Sequence, residues 1–138
     1  DPSGTGEILG PRFFKEFAVR YINQLLDGLA DLHVETIVHI CGHMKNVYKE
    51  VSEVHSNALS FDSAVSMMDA RKNLADRVLM GNVSTYTLEF GSEEAVRRLA
   101  GNCIKCGSDI VSPACGLGMS SPLRNIQALL SSVEESDG

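Results

Sequence analysis

Tryptophan is absent, aromatic residues make up only 6% of the chain, and no apolar run approaches the roughly 20 residues that a membrane span needs. Basic residues are also scarce. Twelve Lys and Arg stand against eighteen Asp and Glu, for a formal net charge of -6. That balance disfavours non-specific binding to nucleic acid, because a polyanion is repelled unless a basic patch offsets the field, and no basic run interleaved with aromatics occurs. Low-complexity segments and internal repeats are missing too. The chain opens at Asp1 with neither an initiator Met nor a signal peptide, which points to a segment of a longer polypeptide.

What is present suits one ordinary globular domain, expected to span residues 1–138. The hydrophobic fraction is 43% and the charged fraction 22%, the balance of a protein with a real core. Such a core needs no staples. The four cysteines, Cys41, Cys103, Cys106 and Cys115, are therefore expected as free thiols in a reducing, cytoplasmic setting rather than as two disulfides.

Apolar periodicity switches between helical and extended several times. Pro11 can open a helix whose apolar positions Phe13, Phe14, Phe17, Tyr21, Leu25, Leu26 and Leu29 follow a helical stripe. The β-rich run over 35–40 ends at Cys41-Gly42, and a helix is expected over about 43–54. Residues 58–61 read as a short buried strand, 66–75 as a helix and 78–80 as a third strand stopped by Gly81-Asn82. Ser92 is a good N-cap for a helix that Gly107 can close. Residues 109–112 read as a fourth strand, Ser121-Pro122 introduces a last helix through Val133, and residues 134–138 look frayed. Strands alternating with helices predict parallel βα units. The expected fold is α/β: one helix and then about four βα units, half of a (β/α)8 TIM barrel, which typically needs about 250 residues. A half-barrel exposes two strand edges and its apolar interior face, so more chain, or a second copy forming a homo-oligomer, is expected to cover them.

In a parallel barrel, functional groups gather at the C-terminal ends of the strands. His39 and Cys41 end the first strand, Asp62 follows the second, Asn82 the third and Cys115 the fourth. Residues at i and i+2 of a strand share a face, so His39 and Cys41 can point to one place, and Cys115 can join them from another strand end. Three protein ligands with one open position is the arrangement of a catalytic zinc rather than a structural one. Taken singly, these residues could equally be a buried His and core thiols. Asp62 is either a fourth ligand or a loop and N-cap residue. His43 lies beside the proposed site as an acid or substrate contact, and Asn82 either binds substrate or shapes its turn. The Cys103/Cys106 pair forms a CxxC without a second CxxC to complete four ligands. It falls at the end of a helix, which favours a structural role. Gly4-Thr5-Gly6 and Gly116-Leu117-Gly118 are too short for phosphate loops, and Met67-Met68 reads as core.

The segments VHICG, ALSFD, LMGNVST and SPACGLGMSSPLRNIQAL, in that order, resemble the uroporphyrinogen decarboxylase superfamily, as does the opening DPSGTGEILGPRFFKEF. The resemblance covers essentially the whole chain and implies the C-terminal half of that family's barrel. The HxC with a late Cys is similar to the methylcobamide:coenzyme M methyltransferase branch. That resemblance implies His39, Cys41 and Cys115 as zinc ligands, with Asp62 where the branch carries an acidic ligand, usually Glu. It also implies a methylcorrinoid carried on a partner protein as methyl donor and a small thiol such as coenzyme M as acceptor. The alternatives are a metal-free decarboxylase-like enzyme, in which the thiols have no evident task, and a non-catalytic half-barrel module. A segment without the rest of its barrel is expected to be weakly active at most.

Overall fold

A computed structural model describes residues 6–134. Helix α1 (Gly6–Phe14), a single π turn (Lys15–Val19), α2 (Arg20–Gly28) and a 3-10 turn (Ala30–Leu32) lead into β1 (Ile37–Ile40). There follow α3 (Tyr48–Ser52), β2 (Ala58–Phe61), α4 (Met67–Asn73), β3 (Val78–Met80), α5 (Thr85–Phe90), α6 (Glu93–Lys105) and α7 (Leu123–Glu134). Gly4 and Thr5 of the first glycine motif, and 135–138 of the expected frayed tail, lie outside the described residues. No helix among the described residues is long and apolar enough to cross a membrane.

The three strands form one parallel sheet in the order β1-β2-β3. Central β2 is buried along its length, Ser60 included, as befits a strand flanked on both sides. Leu59, Phe61 and Leu79 face the helices and build the larger core with Val51, Met67 and Ala70. A second core joins Val83 and Leu88 to Val96, Ala100 and Cys103 of α6 and Ala128 and Leu129 of α7. As an open arc should, β1 carries no strand on its outer side among the described residues.

The fourth expected strand is corrected. Residues 109–114 lie parallel beside β3, but as two isolated bridges, Met80–Ile110 and Val83–Pro113. Backbone bonds run from Gly81 N–H to the Ile110 carbonyl, from Val83 N–H to that of Ser112 and from Ala114 N–H to that of Val83. Asn82, between the two bridges, donates its N–H to Cys103 Sγ at 3.3 Å. The helix α5 is an addition that the sequence pattern did not reveal. Its one local signal is Ser84, whose hydroxyl accepts the Thr87 N–H.

The first helix starts earlier than Pro11, but Pro11 does open its main run. Gly10 sits at φ 70, ψ 168 and breaks the helix, a backbone state open to glycine and not to most residues. Two adjacent apolar stripes run along α1 and α2. Phe14, Ala18, Ile22 and Leu26 pack on the core, whereas Phe13, Phe17, Tyr21 and Leu25 are exposed. The expected stripe mixed the two.

Arg71 on α4 fastens the end of α6 to the segment that carries Cys115. Its guanidinium donates to the Gly107 carbonyl at 2.7 and 3.0 Å and pairs with the Asp109 carboxylate. That carboxylate also accepts the Leu79 N–H at 2.8 Å. Burial pushes the Asp109 carboxyl up, but the Leu79 N–H and Arg71 together hold it below the ordinary value. A depressed carboxyl adds stability that is present above its unfolded pKa, near 4, and is lost as pH falls through the lower folded value. Asp109→Asn is expected to cost about 1 kcal/mol at neutral pH, discounted because the side chain is half-exposed. The gap from wild type should close in acid, as read by urea unfolding across pH; a gap that persists undiminished below pH ~2 would refute the assignment. Asn125 is fully buried and donates to the Leu88 and Gly91 carbonyls at 2.9 and 3.0 Å. Asn125→Ala strands both acceptors and should cost about 2 kcal/mol or more in the same measurement.

Candidate metal centre

Cys41, just past β1, is reached through Ile40, so His39 and Cys41 project to one side of the sheet while Ile40 enters the core. Cys115 arrives from the segment beside β3, placed by the Ala114 N–H bond to the Val83 carbonyl. The ligand atoms of His39, Cys41 and Cys115 all lie within 4.8 Å of one another. Cys41 Sγ is 3.3 Å from His39 Nε2 and 3.8 Å from Cys115 Sγ. All four cysteines are free. His39 and Cys41 are half-buried and Cys115 is exposed. Beside the triad an open hollow of about 490 Å3 is lined by Ile37, His39, Ser60, Met80, Ser112 and Cys115, among others.

Asp62 stands apart from this group. Its Oδ1 accepts the Ala64 N–H at 2.8 Å, the local role of a turn-forming Asp. Its charge still reaches the triad, since it opposes the lowering of His39 and adds to the raising of Cys41. Asn82 is occupied within the protein. Its amide donates to the Asp62 and Val65 carbonyls at 2.9 and 2.7 Å, and its Oδ1 lies 3.6 Å from Cys103 Sγ. His43 is exposed and lines a separate groove with Lys45, Tyr48 and Asp69. The structure thus brings together three of the expected site residues and leaves Asp62, Asn82 and His43 outside that group. Cys103 is buried in the α6–α7 core, and burial pushes its thiol up, which makes it inert rather than reactive. Met67 is core, while Met68 is exposed.

Burial lowers His39 from its ordinary pKa, so its imidazole is neutral near pH ~7. Burial also raises Cys41, and the neighbouring Cys115 adds to the effect. Two thiols so close resist double ionisation, because the second negative charge has no cation to face. A bound dication reverses that order, and neutral imidazole with two sulfurs is then a soft donor set.

One contact here was not legible in the sequence. Ser60 Oγ lies 3.0 Å from His39 Nδ1. The contact depends on the β1–β2 register, in which His39 faces Ser60.

Comparison with known proteins places the fold and the family. The uroporphyrinogen decarboxylase (URO-D) family profile matches residues 1–136. A methylcobamide:CoM methyltransferase, MtbA, of Methanosarcina acetivorans is 27% identical over 131 residues, covering 94% of this chain and 39% of that protein. A second, MtaA, of Methanosarcina barkeri is 26% identical over 138 residues, covering 98% of this chain and 40% of that protein. A uroporphyrinogen decarboxylase of Alcanivorax borkumensis is 30% identical over 96 residues, 67% of this chain and 27% of that protein. The solved structure of a methyltransferase from Methanosarcina mazei superposes with a TM-score of 0.88 at 23% identity, over 100% of this chain and 41% of the other. The chain therefore spans about two fifths of the length of these methyltransferases, and its open arc of parallel strands is a partial (β/α)8 barrel. With the family profile spanning nearly every residue, the chain belongs to the uroporphyrinogen decarboxylase family.

Proposed function

We propose that this chain carries the zinc centre of a methyltransferase that moves a methyl group between a corrinoid protein and a small thiol such as coenzyme M. The observation that carries this reading is the spacing of the donor atoms. A tetrahedral site with Zn–S of about 2.3 Å and Zn–N of about 2.05 Å has S···S edges near ~3.8 Å and N···S edges near ~3.6 Å. The measured separations are 3.8 Å between the sulfurs and 3.3 Å from Cys41 Sγ to His39 Nε2. His39 and both cysteines would hold the metal, leaving one position open to a substrate thiol.

Zinc, when bound, supplies the positive charge that keeps a coordinated thiol deprotonated at neutral pH. The chain's own contribution is orientation. Neutral His39 offers a lone pair, two cysteine sulfurs keep the donor set electron-rich, and the hollow beside Cys115 gives an acceptor room to approach. Asp62 lies near enough to bias the charge at His39 and Cys41 without joining the ligand group. The names of the methyltransferase relatives support the reaction class. The methyl donor would be a methylcorrinoid on a separate protein, meeting the strand C-terminal face, in a reducing cytoplasm that keeps the thiols free. A metal-free decarboxylase would leave three convergent soft donors without a task.

Chain purified without added metal is expected to hold about one zinc by elemental analysis. Cys115→Ser should lose it, while Cys103→Ser, altered outside the triad, should keep it. A chain that takes up no zinc on titration while remaining folded would sink the reading. Equal zinc in wild type and Cys115→Ser would move the site elsewhere.

A further inference from the structure

A metal-binding imidazole uses one nitrogen's lone pair and carries its proton on the other, so the group that contacts the second nitrogen selects the tautomer. His39 is contacted on both sides. Nε2 faces Cys41 Sγ at 3.3 Å and Nδ1 faces Ser60 Oγ at 3.0 Å. Ser60 is 4% exposed, at the wall of the hollow beside the triad. Among the described residues its hydroxyl has no other hydrogen-bond partner given by the structure. The pairing is built by the sheet: His39 and Ser60 are directly opposed in the parallel β1–β2 register, one residue before Ile40 opposes Phe61. Those neighbours sit in the core on the other face. Sliding β1 by one residue would bury His39 and dissolve the contact.

We propose that Ser60 is a positioning residue for the metal centre. Its Oγ accepts the Nδ1–H of His39 and fixes the tautomer whose Nε2 lone pair points at Cys41 and Cys115. This rests on the zinc reading for its effect on affinity, whereas the tautomer is a property of the metal-free chain. A hydroxyl can also donate to Nδ1, which would put the proton on Nε2 and block ligation. The two arrangements therefore predict opposite protonation of one ring.

Long-range 1H–15N NMR on metal-free chain labelled at histidine, at alkaline pH where the imidazole is neutral, reads the proton directly. His39→Gln assigns the resonance. Wild type is expected in the Nδ1–H form and Ser60→Ala in a mixture. Ser60→Thr keeps the hydroxyl, suits a strand and has the adjoining hollow of about 490 Å3 for its methyl; it should restore the wild-type form. Zinc affinity, by competition with a chelator, should fall about 10-fold in Ser60→Ala and return in Ser60→Thr, with stoichiometry unchanged. Far-UV CD on all three checks folding. An Nε2–H ring in wild type, or Ser60→Ala matching wild type in both tautomer and affinity, would overturn the proposal. If the wild type takes up no zinc, the zinc reading fails on its own, and the tautomer alone then supports or overturns the role of Ser60.

Discussion

Parallel pairing in fixed register governs everything that matters at the site. In a parallel sheet all strands point the same way, so every loop that follows a strand emerges at one end. Here that places the residue after β1, the turn after β2 and the segment beside β3 along a single rim. Register then decides which side chains meet. His39 meets Ser60 because Ile37 meets Ala58, and the period of two turns His39 and Cys41 outward while Ile40 packs inward. The register is held by the core on the opposite face, where Phe61, Leu59 and Leu79 lose their packing if any strand slips.

The last member of the triad depends on a different device. Cys115 sits on a stretch that makes only two bridges to β3, so the ladder alone holds it weakly. Arg71, Gly107 and Asp109 form a clamp that fastens the start of that stretch to α4 and β3. Asn82, in the turn after β3, donates to the Asp62 carbonyl in the turn after β2 and lies beside the buried thiol of Cys103. Cys103 accepts the Asn82 N–H and packs in the α6–α7 core, outside the triad.

Electrostatics and geometry point the same way at the triad. Burial and the neighbouring Cys115 oppose ionisation of the Cys41 thiol. The carboxylate of Asp62 deepens that opposition. Two of the donor separations, Cys41 to Cys115 and Cys41 to His39, nevertheless lie near the edges of a tetrahedral site. That combination is what supports the proposed zinc centre.

Much of this was legible in the chain itself. The alternation of short apolar runs with helical stripes gave the parallel βα order, because helix and strand periods differ and each leaves its own mark. The HxC spacing placed two donors on one face, because the strand period is two. The capping residues Ser66, Ser84 and Ser92 mark helix starts that the structure contains, although only Ser92 stood out. Tertiary structure alone decided the rest. Which apolar stripe of α1 and α2 is buried follows from what lies beneath it, and the sequence offers two equivalent stripes. Residues 109–114 make only two isolated bridges rather than a full strand ladder, which a short run in the sequence does not reveal. Asp62 could ligate or shape its turn by residue type, and only the structure shows its Oδ1 accepting the Ala64 N–H. Ser60 carries no local signal at all, because a serine becomes the partner of a histidine only when two strands, separated in the chain, are laid side by side in one register.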